Sequence, residues 1–250
     1  MRPLVILSPS KQMREAPLPI AMLLYETALE SHRNGVVEAL NALQEEVWVK
    51  VMKVSDKQLP LVKALWDSWQ PQGQLQGWSA YTGEAFKFLQ APALYNALAP
   101  EVLDRLVVLS AVYGIVRWNT AVAPYRLEMG ASLGKASIGP LGKYWSGPIA
   151  AALKESGAHW ILDLSSAEYG GIIPWDAVGI PVISCSFLQV KEGVAKNVST
   201  RSKQARGAMA KWVLEHGVTE AAELQKFNCE GYTYCKVRST DNNAVFLRNT

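Results

Sequence analysis

At 250 residues, with a formal charge of +3, 49% hydrophobic and 19% charged residues, the chain has the composition of an ordinary globular protein and lies far from the disordered range. A chain of this length buries on the order of 70% of the surface its unfolded form exposes, so it needs neither disulfide nor metal to stay folded. Three cysteines (Cys185, Cys229, Cys235) and three scattered histidines (His32, His159, His216) give no CxxC pair and no metal-ligand spacing, which fits a reducing compartment.

The opening "PLVIL" (3–7) reads as a buried strand. The apolar run in "MRPLVILSPSK" is too short for a signal peptide, and no stretch approaches a membrane span, so a cytoplasmic chain without membrane partners is expected. Helical patterning runs from Ile20 to Trp69, with breaks expected at Gly35 and at "KVSDKQ", where Ser55 or Asp56 would cap the next helix. "QPQGQLQG" (70–77) is a turn-rich connection, and helical pieces follow from Gly83 to Asp104. "RLVVLS" and "HWILDLSS" read as two further buried strands.

The segment "APYRLEMG" (123–130), if extended, turns Tyr125, Leu127 and Met129 to one face. Arg126 and Glu128 then share the other as an expected ion pair. "GIPVISCSFLQV" and "GVAKNVST" flank "KEG" as a hairpin. "STRSKQARGAMAKWVLEHG" is a helix with a Ser/Thr cap, an apolar stripe through Ala205, Met209 and Trp212, and Gly217 as its stop. The tail "YTYCKVRSTDNNAVFLRN" makes a second hairpin. Hairpins alongside strand–helix alternation predict an α/β fold, one compact domain over 1–250 with a mixed sheet and surrounding helices.

Ligands in open α/β sheets bind beyond the carboxyl ends of the strands. Three predicted strands end there on hydroxyls with a charged residue in reach. Ser8 and Ser10 precede Lys11; Ser110 precedes Tyr113 and Arg117; Ser165 and Ser166 precede Glu168. Taken singly, each serine is turn punctuation. Their recurrence points to one shared polar crevice, whose wall would also carry Arg126, Glu128, Lys203 and Arg206. A run of cations from Lys191 to Lys211 against Glu192 alone is equally a solvated helix face. No GxxxxGK[ST], GxGxxG or HExxH motif occurs.

"LSPSK", "YTG" (81–83), "LSAVYGIVR", "PYRLEMG", "YW" (144–145), "LSSAEY", "KQARG" and "FNCEGY" occur in an order that resembles the YaaA-like peroxide stress family over nearly the whole chain. The resemblance implies a cytoplasmic DNA-binding protein of the hydrogen peroxide response, with a basic cleft and a helix-hairpin-helix element at about 36–69. Lys50, Lys53, Ser55 and Lys57 would form the phosphate-binding hairpin, and Tyr81 and Thr82 would join the cleft. Gln12 stands where the family has a hydroxyl, Ala167 where it has an acid, and the hairpin lacks glycine.

Two functions compete. In the first, the cleft and hairpin hold double-stranded DNA without sequence preference through its phosphates. In the second, an enzyme acts on a nucleotide or nucleobase-like small molecule, because interleaved carboxylates are foreign to a phosphate rail. Lys11, Arg126, Glu128, Glu168 and Lys203 would then be catalytic. Arg126 and Lys203 would clamp an anion, and either carboxylate would handle a proton. Trp48, Trp66 and Trp212 are assigned to the core, whereas Trp145 is expected to line the crevice and stack a base. Neither cofactor nor metal is implied, and a monomer is expected.

Overall fold

An apolar run without polar alternation has to be covered on both faces, and "PLVIL" is so covered: all five residues of β1 (Pro3–Leu7) are buried. The structure, a computed structural model, describes residues 2–14, 29–70, 73–134 and 137–249; the helical pattern expected over 20–28 lies outside them. After β1 come α1 (Glu30–Asn41), α2 (Trp48–Met52), α3 (Leu59–Asp67) and β2 (Leu75–Gln76). The helices α4 (Glu84–Leu89), α5 (Ala91–Ala97) and α6 (Pro100–Leu103) lead into β3 (Leu106–Ser110), β4 (Gly114–Val116) and β5 (Ala121–Val122). Then follow α7 (Leu141–Lys154), β6 (Trp160–Leu164), α8 (Ala167–Gly170) and α9 (Trp175–Val178). The chain closes with β7 (Val182–Lys191), β8 (Val194–Lys196), α10 (Ser199–Glu215), β9 (Thr233–Tyr234) and β10 (Asn243–Asn249).

Among the described residues, eight strands form one mixed sheet in the order β4-β3-β1-β6-β7-β10-β9, with β8 beside β7. Strand β1 pairs in parallel with both β3 and β6, so Val5 sits between Leu106 and Leu162. The three carboxyl ends that carry Ser8, Ser110 and the Ser165–Ser166 pair therefore open on the same edge of the sheet. The hairpins β7–β8 and β9–β10 are antiparallel. No helix among the described residues is long and apolar enough to cross a membrane.

Four local expectations need correction. Gly35 does not break a helix but lies inside α1, where a Cβ would stand 2.6 Å from the Tyr144 hydroxyl. That hydroxyl donates to the His32 carbonyl, so close packing of α7 outweighs the helix cost of glycine. Ser55 and Asp56 do not cap α3; its N-cap is Gln58, whose side chain instead accepts from the Ser55 N–H and hydroxyl. Val198, not a Ser or Thr, precedes α10. Residues 123–128 form no strand, and their backbone runs as an irregular connection.

Gly207 decides how α10 sits. A Cβ there would come within 1.9 Å of the Ala85 carbonyl oxygen, so the backbones of α10 and α4 touch at this point. Glycine costs a helix interior about 1 kcal/mol, and the close approach is what that cost secures. Gly207→Ala should therefore destabilise the fold by about 3 kcal/mol, although alanine is the better helix former. Denaturant unfolding checks this, and an unchanged midpoint would refute the contact.

Candidate functional site

The strand-end serines take different roles. The Ser166 N–H donates to Ser8 Oγ at 2.7 Å, and the Ser8 hydroxyl in turn donates to Ser166 Oγ at 3.2 Å, tying the β1 and β6 loops together. Ser110 Oγ accepts from the Val112 and Tyr113 N–H groups at 3.2 and 3.0 Å. A hydroxyl oxygen has two lone pairs, so the Ser110 proton goes to the Tyr125 hydroxyl 2.8 Å away. The Tyr125 and Tyr81 hydroxyls share a further hydrogen bond at 3.0 Å. Burial pushes Tyr125 up to about 12 and Tyr81 well above its ordinary value, so both stay protonated.

Above this hydroxyl chain lies a cavity of about 420 Å³. The β1 loop contributes Ser8 and Lys11, the 123–130 segment Arg126 and Glu128, the β6–α8 turn Ser166 and Glu168, and α10 Lys203 and Arg206. The sequence also singles out residues that do not line it. Tyr81, Ser110 and Tyr113 are buried behind Tyr125. Thr82 hydrogen-bonds the Gln12 carbonyl through its backbone, and Arg117 bonds Thr120 through its own. Ser165 is buried, and its backbone N–H bonds Asp163. Trp145 is fully buried, its indole N–H donating to the Ala111 carbonyl, so it reaches no ligand there.

The ion pairing also differs from expectation. Glu128 is 8% exposed and pairs not with Arg126 but with Lys11 and with Lys53, the latter at 3.1 Å. Burial pushes the Glu128 carboxyl up, but the two ammoniums more than offset it and hold the group below its ordinary value. Lys53 takes a left-handed conformation (φ 51°) at the end of α2, a position that favours glycine. From there it reaches the cavity wall, whereas Lys50 and Lys57 on the same α2–α3 unit stay exposed.

Arg126 and Arg206 are the unmatched groups. Each lines the cavity and is partly buried, and its guanidinium makes no hydrogen bond or ion pair among the described residues; the Nε of each is buried without a partner. Burial pulls the Arg206 guanidinium down from its ordinary value, and Asp163 only partly opposes this. A charged hydrogen bond is worth about 1.5–3 kcal/mol, so such groups mark places where an acceptor is missing. Lys203, on α10 with Arg206, is exposed and also has no ion pair among the described residues.

Glu84 and Tyr125 also line the wall and escaped sequence reasoning, as Tyr169 after β6 did not. Glu84 is held by Lys87 at 2.6 Å and by Gln204 at 2.7 Å, and these hydrogen bonds lower its carboxyl from the ordinary value. Its placement follows from the α4–α10 contact at Gly207, which no local pattern announces. Glu168 accepts the Gly130 N–H at 2.9 Å. No three His, Cys, Asp or Glu side chains among the described residues are grouped to hold a metal ion.

A family model described as peroxide stress protein YaaA matches residues 4–238. A UPF0246 protein of Phenylobacterium zucineum is 28% identical over 251 residues, covering 98% of this chain and 94% of the relative. UPF0246 proteins of Shewanella baltica (strain OS155) and Delftia acidovorans are each 31% identical, covering 98% and 99% of this chain and 99% of each relative.

The Glu128 contacts carry a pH signature. A carboxylate whose pKa is lowered on folding contributes stability above its unfolded value, and that contribution fades as pH falls through the folded value. Glu128→Gln should cost about 1 kcal/mol near neutral pH, since both lysines keep substantial solvent contact. The gap from the unaltered protein should then close below the ordinary value of 4.5. Urea unfolding at several pH values measures it; a gap that persists at low pH would refute the pairing.

Proposed function

Because this chain belongs to the peroxide stress protein YaaA family, we propose that it serves that response in the cytoplasm by binding a small, anionic, nucleotide-like molecule in the cavity and acting on it. The observation that carries this reading is the pair of partly buried guanidiniums, Arg126 and Arg206, with no acceptor of their own among the described residues. The cavity volume of about 420 Å³ falls in the range of small-molecule sites. In this reading Arg126, Arg206 and Lys203 hold the anion. Lys11, ion-paired with Glu128, supplies fixed positive charge. Glu168, bound only by the Gly130 N–H among its hydrogen bonds here, is the carboxylate left to handle a proton.

A second reading, binding of double-stranded DNA, is favoured by one observation. Lys53 ties the α2–α3 unit to the cavity wall, and Lys50 and Lys57 on that unit are exposed. Phosphate contacts from these lysines would add a salt-dependent, sequence-independent affinity.

The two readings separate experimentally. Nucleotides, nucleobases and sugar phosphates at millimolar concentration should raise the melting temperature of the protein, and Arg126→Met should abolish the rise; no stabilisation by any compound would refute the small-molecule reading. Duplex affinity should fall steeply between 50 and 200 mM salt, on the order of tenfold or more, and the Lys50→Ala/Lys57→Ala variant should flatten the slope. A salt-independent affinity would refute the DNA reading.

A further inference from the structure

The charges on the cavity wall fall into two sets, and their separation says what the ligand carries. Five basic and three acidic residues line it, an excess of two positive charges. Lys11 is matched by Glu128 and Lys87 by Glu84. Lys53, just outside the lining, is matched by Glu128 as well. That leaves Arg126, Arg206 and Lys203 without ion pairs among the described residues, against Glu168, whose carboxylate is turned to the Gly130 N–H.

A phosphodiester, with one negative charge, leaves this excess half neutralised. A phosphomonoester carries nearly two near neutral pH and presents three acceptor oxygens, enough for two guanidinium forks and an ammonium. Beside the charged groups and the polar Ser8, Ser10, Gln12 and Ser166, the wall carries an apolar and aromatic set: Leu7, Leu127 and Leu164 with Phe86, Tyr125 and Tyr169. Such a lining suits a flat ring system rather than a bare sugar phosphate.

Resting on the small-molecule reading above, we propose that the occupant is a phosphomonoester of a ring-bearing molecule, a nucleoside 5′-monophosphate in kind. Its terminal phosphate lies among Arg126, Arg206 and Lys203, and its ring lies against the aromatic wall. The cavity thereby distinguishes a terminal phosphate from the internal phosphate of a nucleic acid strand.

The test compares each of the four common ribonucleoside 5′-monophosphates with its 3′,5′-cyclic counterpart, its nucleoside and inorganic phosphate, by thermal shift and titration calorimetry on the full chain. A cyclic nucleotide keeps the base and the sugar but loses one negative charge and the terminal phosphate. At least one 5′-monophosphate should bind tenfold or more tightly than its cyclic form, and Arg206→Lys should weaken it at least tenfold by removing the fork. Lys203→Met, at an exposed position, should keep the fold and weaken the same ligand selectively. Equal binding of the cyclic form, or of the free nucleoside, would overturn the phosphomonoester assignment while leaving the small-molecule reading standing. Equal binding of inorganic phosphate would overturn the ring. Binding confined to oligonucleotides would overturn both.

Discussion

The carboxylate of Glu128 is the point on which the cavity depends. It joins three segments distant in sequence: the loop after β1 through Lys11, the turn after α2 through Lys53, and the irregular 123–130 connection on which it sits. Two ammoniums at one carboxylate leave its own segment no freedom to fold back onto Arg126. The consequence is a division of labour between neighbours in sequence. Glu128 is consumed by architecture, and Arg126 is left over for a ligand. A single ion pair between the two would have filled the crevice with its own solution.

The sheet supplies the platform for this arrangement. Because β1, β3 and β6 run in parallel, their polar ends open together, yet they are not used alike. Ser8 and Ser166 fasten two loops to each other. Ser110 turns inward and anchors a column of protonated tyrosines that forms the floor. Helix α10 closes the opposite side, fixed by the backbone contact of Gly207 with Ala85. The cations it bears are thus held by the tightest helix packing near the site.

Much of this was legible from the chain. Apolar runs located β1, β3 and β6, and the hairpins β7–β8 and β9–β10 followed from their turns, since strand pairing by neighbours is encoded locally. That Lys11 and Glu168 share a cavity followed from the rule that strand ends share an edge. What could not be read was who pairs with whom. Alternation placed Arg126 and Glu128 side by side, but a carboxylate chooses among all cations within reach, and Lys53 arrives from a helix pair remote in sequence. Trp145 was misassigned for a related reason: its neighbours suggest a loop, while α7 turns it into the core against Ala111. Glu84 was missed because its position is set by the glycine of another helix.

Among the described residues that line the cavity there is neither cysteine nor methionine. Cys185, the buried thiol nearest in charge to Arg206, is pushed up by burial and so stays a thiol, the form that reacts poorly with oxidants. Sulfur is where peroxide first damages a protein. The described wall of the recess carries carboxylates, guanidiniums, ammoniums, hydroxyls and hydrocarbon, and the sulfur of Met13 accepts the Tyr125 N–H from behind it.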